Sequence, residues 1–131
     1  MSPAQLPAVC VVDDDLSVRK SLVNLLKSAG YRALSFASGE ELLACAELDE
    51  AACILLDLRM KGLQGLEVQM ALKAAGSQAA VICMSAHWDD ASLEEAAGLG
   101  AHDCLHKPFT GEALLAAIET ALHPGPQSSG S

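Results

Sequence analysis

The run Cys53-Ile54-Leu55-Leu56 is apolar without interruption and stops at a carboxylate, Asp57. A strand exposed on one face alternates apolar and polar residues, whereas a strand covered on both faces reads as a continuous apolar run. This segment therefore requires a sheet with helices on each side. A charged residue at the carboxyl end of such a strand stands at the edge where open α/β sheets bind ligands. Ala8-Val9-Cys10-Val11-Val12 repeats the pattern and ends in Asp13-Asp14-Asp15. Ala79-Ala80-Val81-Ile82-Cys83-Met84 is a third apolar run and leads into Ser85-Ala86-His87.

Helical patterns separate these runs. Val18, Leu22, Leu25, Leu26 and Ala29 recur at helical spacing, with Arg19, Lys20, Asn24 and Lys27 on the other face and Gly30 as the stop. Arg32 to Phe36 alternates weakly and predicts a strand near the edge. Ser38 and Glu41 have capping-box spacing, and Leu42, Leu43 and Ala46 form the inward stripe of a short helix. The glycines of Leu58-Arg59-Met60-Lys61-Gly62-Leu63-Gln64-Gly65 mark a loop, followed by a helix over 66–75 that closes at Gly76. A further helix, with Ser92 and Glu95 spaced as a capping box, runs to Gly98 or Gly100. A weaker strand over 102–106 ends at Lys107-Pro108, and the last helix starts at Thr110 and turns Leu114, Leu115, Ile118 and Leu122 inward. Strand and helix alternate five times, which predicts a parallel α/β sheet with right-handed crossovers and helices on both faces.

Composition narrows the function classes. At 131 residues the chain suits one core, and with 51% hydrophobic but 3% aromatic residues that core must be built from Leu, Ala, Val and Ile. A net charge of −9 argues against direct nucleic-acid binding, which relies on Lys and Arg. No apolar run nears the roughly 18 residues of a membrane span, and the start lacks a signal-peptide pattern, so a cytoplasmic location is expected with no membrane partner. The five cysteines include no Cys-x-x-Cys pair, and Cys10, Cys53, Cys83 and Cys104 fall in strand-like stretches, where free Cys behaves as a small hydrophobe. His87, His102, His106 and His123 read as surface or capping residues, and Trp88 as a half-exposed packing residue. Residues 1–123 are expected to form the domain, and Pro124 to Ser131 a flexible linker or cloning remnant.

Parallel strands bring their carboxyl ends to one edge, so Asp13, Asp14, Asp57, Ser85 and Lys107 should meet there. Carboxylates about 4 Å apart repel by roughly 1 to 4 kcal/mol per pair, so such a cluster needs a cation. Mg²⁺ suits it, since that ion takes oxygen ligands and commonly bridges carboxylates to a phosphate. Lys107 and Ser85 then supply a charge and a hydroxyl for phosphoryl oxygens, which makes Asp57 a candidate nucleophile toward phosphorus.

In this motif order the chain resembles the receiver domain of two-component response regulators across about 8–122. Asp57-Leu58-Arg59-Met60 and Lys107-Pro108-Phe109 are most similar to the FixJ-type branch. The resemblance implies a flavodoxin-like, CheY-like three-layer sandwich, with a five-stranded parallel sheet in the order 2-1-3-4-5 and five helices. It implies that Asp57 accepts a phosphoryl group from a sensor histidine kinase. Asp14, Asp57 and the Arg59 carbonyl would ligate Mg²⁺ directly, and Asp13 would act through water. Ser85 would be the switch hydroxyl and Lys107, before a cis Pro108, the phosphate-binding amine. A signalling role is implied, with autophosphorylation from small acyl phosphates and slow autodephosphorylation as its only catalysis. The fourth-helix and fifth-strand face would dimerise or dock, and a DNA-binding output domain would lie beyond this chain. Three positions depart from the family pattern: Lys61 replaces the usual proline, Ser85 stands where many relatives have Thr, and Cys104 replaces an aromatic whose ring movement accompanies the switch. Output is therefore expected to depend on the Ser85 loop and the helix after it.

Two other readings fit parts of the sequence. Asp13-Asp14-Asp15 can be parsed as the Asp-x-Asp of a haloacid-dehalogenase-like phosphatase, with Asp13 as nucleophile and Asp15 as acid, although no acidic pair follows Lys107. An interaction module of the same fold without phosphorylation is the third. By itself Asp15 reads as a helix N-cap.

Overall fold

The structure is a computed structural model that describes residues 7–46, 48–58, 65–85 and 90–123, with the side chains of 90–93 outside that description. The elements alternate as expected: β1 (Ala8–Val12), α1 (Leu16–Ser28), β2 (Arg32–Phe36), α2 (Gly39–Leu43), β3 (Ala51–Asp57), α3 (Gly65–Ala74), β4 (Ala80–Ser85), α4 (Asp90–Gly98), β5 (Asp103–His106) and α5 (Gly111–Leu122). The strands form one parallel sheet in the order β2-β1-β3-β4-β5. That is the arrangement the resemblance implies. β2 is an edge strand, in keeping with its weak alternation.

Alternation along the three central strands divides the core in two. Val9, Val11, Cys53, Leu55, Ile82 and Met84 face α1 and α5, where they meet Leu22, Leu26, Leu114 and Ile118. Cys10, Val12, Ile54, Leu56, Val81 and Cys83 face the opposite layer, against Leu42 of α2, Val68 and Leu72 of α3 and Ala96 of α4. β1 is buried at every position, which is the physical content of its unbroken apolar run.

The helix ends follow the sequence closely. Asp15 caps α1, its Oδ1 accepting from the Ser17 and Val18 amides at 2.9 and 3.2 Å. Thr110 caps α5 through the Ala113 amide at 3.0 Å. Ser38 accepts from the Glu41 amide at 3.1 Å, but Glu41 accepts in return from Ala37 rather than Ser38. Gly30, Gly76 and Gly100 follow their helices with φ of +94°, +76° and +95°, in the left-handed region that Gly enters at little cost. His123 caps α5, its amide donating to the Glu119 carbonyl at 2.9 Å.

Several boundaries differ from expectation. α2 ends at Leu43, so Ala46 is outside it and exposed, and a 3-10 turn at Leu48–Glu50 leads into β3. Ala29 is the C-cap of α1 and exposed, not part of its inward stripe. α4 starts at Asp90, which places Ser92 inside the helix rather than at its cap. β4 extends through Ser85 because Lys107 N donates to the Ser85 carbonyl at 2.7 Å, so pairing with the following strand carries the ladder past the apolar run. Lys61, His87, Trp88 and Pro124 to Ser131 lie outside the described residues.

One glycine is required by close approach. A Cβ on Gly65 would lie 2.7 Å from the Asp57 carbonyl oxygen and 2.7 Å from the Leu58 Cα, both backbone atoms that cannot swing aside. Replacing Gly65 by Ala should therefore push the start of α3 away from the end of β3. The expected cost is about 1 to 3 kcal/mol of unfolding free energy, read from urea denaturation. An unchanged midpoint would show that the helix start moves without resistance.

Candidate functional site at the carboxyl edge of the sheet

The site forms because β1, β3 and β4 pair in parallel and end at nearly the same height. Val12 pairs with Leu56, Leu56 with Cys83 and Asp57 with Met84. The chain then leaves β1 at Asp13, β3 at Asp57 and β4 at Ser85, so residues far apart in sequence become neighbours. Ser85 in turn pairs with His106, which sets Lys107 one residue beyond it.

Asp13, Asp14 and Asp57 each offer a carboxylate oxygen within 4.8 Å of the other two. Asp13 and Asp57 are buried and Asp14 is exposed. Lys107 Nζ reaches over the cluster, 2.8 Å from Asp13 Oδ2 and 3.3 Å from Asp57 Oδ2. Burial works against the Lys107 charge. The hydrogen bond that Lys107 donates to Asp13 and the attraction of both acids outweigh it, so its pKa stands above the usual lysine value. Three carboxylates against one ammonium leave a net charge of −2, with only oxygen donors around it. That inventory fits a hard divalent cation.

The frame around the acids is built from backbone donors. Asp13 Oδ1 accepts from the Asp15 amide at 2.9 Å, and the Asp13 amide donates to the Phe36 carbonyl at 3.2 Å. Arg19 Nη1 donates to the Asp13 carbonyl at 2.7 Å. This last contact corrects the placement of Arg19 on the solvated face of α1: the side chain folds back toward β1 and braces the acid turn. Spacing gave no sign of it, because a helical residue six positions after an acid reaches it only when the preceding turn bends inward. The Leu58 amide donates to the Met84 carbonyl at 2.9 Å, continuing the β3 and β4 ladder just past Asp57.

The other expected site residues are accounted for as follows. Ser85 is buried at the end of β4, beside β3. The Lys107-Pro108 bond is cis, and Pro108 is exposed. Cys104 is half-buried on β5, paired in register with Cys83. Arg59, whose carbonyl was expected at the metal, lies outside the described residues.

The geometry also bears on the phosphatase reading. Asp15, its required acid, is committed to capping α1, and Asp13, its required nucleophile, is fully buried and held by Lys107 and the Asp15 amide. The carboxylates that cluster are those of Asp13, Asp14 and Asp57, the set the resemblance implies.

A side groove of about 500 Å³ opens next to this edge, between α1 and the turn after β5, lined by Ser17, Val18, Ser21, Leu22, Lys107, Pro108 and Phe109. Among the described residues no helix is long and apolar enough to cross a membrane.

Comparison with known proteins agrees with this geometry. The sequence profile of the response regulator receiver domain matches residues 9–119. The transcriptional regulatory protein FixJ of Azorhizobium caulinodans is 42% identical over 120 residues, covering 92% of this chain and 56% of that protein. A solved structure of the response regulator StyR superposes with a TM-score of 0.83 at 39% identity, over 94% of this chain and 62% of that one. The chemotaxis protein CheY4 of Vibrio cholerae gives a TM-score of 0.83 at 28% identity, over 89% of this chain and 99% of that one. The chain thus spans about half the length of the curated relatives it matches. With the parallel sheet, the acid cluster and the Lys107 bridge in place, this chain belongs to the response regulator receiver domain family.

Proposed function

We propose that the chain is a phosphorylation-dependent switch in which Asp57 accepts a phosphoryl group from a sensor histidine kinase. The observation that carries this reading is the convergence of Asp13, Asp14 and Asp57 beneath the Lys107 ammonium. One Asp57 carboxylate oxygen bonds to phosphorus as the bond from phosphorus to the donor's imidazole nitrogen, or to the acyl oxygen of a small acyl phosphate, breaks. The reaction demands mainly positioning and charge neutralisation.

The fit of three clustered oxygen donors supports Mg²⁺ as the cation, held by Asp14 and Asp57, with Asp13 acting through water and the Arg59 carbonyl as a further ligand. When bound, the ion neutralises charge on the transferring phosphoryl group. Lys107, already charged and poised 3.3 Å from Asp57, exchanges a carboxylate for a phosphate oxygen. The Ser85 hydroxyl, on the adjoining strand end, donates to another. Asp57 is 5% exposed, so little water reaches it, which favours survival of the acyl phosphate. Transfer adds roughly −1.5 to −2 charge at the sheet edge, if the product behaves like other phosphorylated side chains.

The phosphorylated form then presents its α4 and β5 face to a second copy or to an output domain. A transcriptional role is proposed from relatives such as FixJ, whose name states that activity for that protein. The chain's own turnover is limited to autophosphorylation and slow hydrolysis. A cytoplasmic location follows from a kinase donor of this kind.

Three measurements test this. Acetyl phosphate with Mg²⁺ should raise the intact mass by one phosphoryl group in the native chain and leave Asp57→Asn unchanged; a gain that survives the substitution would refute the assignment. Mg²⁺ at about a hundredfold over its dissociation constant should stabilise the native chain by about 2.7 kcal/mol in thermal unfolding. Asp13→Asn should lose most of that gain, and an equal rise in both proteins would place the ion elsewhere. Lys107→Ala should slow phosphorylation while tightening Mg²⁺ roughly tenfold, because removing a positive charge a few Å away favours a divalent cation. Weaker Mg²⁺ binding in that variant would show that Lys107 organises the acids more than it repels the metal.

A further inference from the structure

Gln69 is the one polar side chain among the buried residues of α3, where Gly65, Val68 and Leu72 are the others. It is 3% exposed. Its Nε2 donates to the Ala96 carbonyl of α4 at 3.1 Å, and its Oε1 accepts from the Cys83 thiol of β4 at 3.7 Å. Cys83 and Cys104 are paired in register on β4 and β5. A buried chain of polar groups thus runs from β4 through α3 to the last turn of α4.

Among the described side chains, that turn buries little apolar surface. Of the described α4 side chains, Glu94, Glu95 and Ala97 are exposed and Ala96 alone is buried, by a single methyl. Gly98 and the following Gly100 have no atoms within 4 Å of where a Cβ would stand. A crevice of about 240 Å³ separates the carboxyl ends of α3 and α4, with Gln69 on its wall. No basic residue in the last turn meets the helix carbonyls, a task the Gln69 amide performs from the neighbouring helix. A buried amide must keep both ends bonded, so displacing α4 exposes the full cost of an unsatisfied Gln69.

We infer that Gln69 is a positioning residue for the switch: it pins α4 in its unphosphorylated place and links that helix, through Cys83, to β4, the strand that ends at Ser85 and pairs with β5. This rests on the Asp57 reading above. Cys83 is two residues before Ser85, and β4 pairs with the β5 strand that precedes Lys107, so a pull on Ser85 or Lys107 by a phosphate acts on β4 directly or through that ladder.

The test compares the native chain with Gln69→Met and Gln69→Leu, which fill similar volume without polar atoms. The Ala96 carbonyl keeps the Leu99 and Ala101 amides, at 3.2 and 3.0 Å, so the helix end itself stays bonded in both variants. Amide hydrogen exchange at Leu99, Gly100 and Ala101 should quicken roughly two- to tenfold, with amides of β1 and β3 unchanged. Autophosphorylation from acetyl phosphate should quicken by a similar factor, because the restraint on α4 is gone. Unchanged exchange at 99–101, a uniform rise across the sheet, or altered exchange with an unaltered phosphorylation rate would each overturn the inference. Should the native chain itself take no label, the Asp57 reading fails, and the exchange data alone decide whether Gln69 anchors α4.

Discussion

The parallel register of β1, β3 and β4 is the constraint from which the rest of this molecule follows. Parallel pairing of Val12 with Leu56 and of Asp57 with Met84 delivers Asp13, Asp57 and Ser85 to one edge. A shift of one residue in β3 would turn Asp57 to the other face and move Leu55 and Leu56 between the two cores. The apolar runs resist that shift because each strand residue is matched to a helix layer: Ile54 and Leu56 to α2 and α3, Cys53 and Leu55 to α1 and α5. The core therefore protects the site's geometry although it supplies none of its chemistry.

The site places that geometry under electrostatic load. Three carboxylates within 4.8 Å are opposed by one ammonium, and the edge is held by Lys107, by the Asp15 amide on Asp13, and by Arg19 bracing the acid turn. Rigidity under the site and looseness beside it then divide the labour. β1 is buried at every position and β3 at all but Ala52, whereas the described part of α4 buries little apolar surface. Movement will be cheapest where the least apolar surface has to be uncovered.

Much of this was legible from local chemistry. Asp15, Ser38 and Thr110 cap helices because short oxygen-bearing side chains satisfy amides within their own turn. Gly30, Gly76 and Gly100 stop helices because a positive φ suits them. The failures are equally local in cause. Leu42, Leu43 and Ala46 suggested a longer α2, but the chain leaves the helix at Ala44 to reach β3, and Ala46 has no core surface to cover. Arg19 matched the polar face of an amphipathic helix, a pattern that does not say whether a long side chain extends into water or folds back.

What the sequence by itself determined was the alternation of strand and helix, the burial of the central strands and the identity of the residues at their carboxyl ends. Those depend on periodicity, caps and short-range sterics, which act within a turn or two of chain. Only the tertiary structure decided that Lys107 bridges Asp13 and Asp57, that Arg19 reaches the Asp13 carbonyl, and that Gln69 joins α3 to α4 and β4. Those contacts span 6 to 94 positions of chain, and their partners are chosen by packing and by the demand that buried polar groups be satisfied.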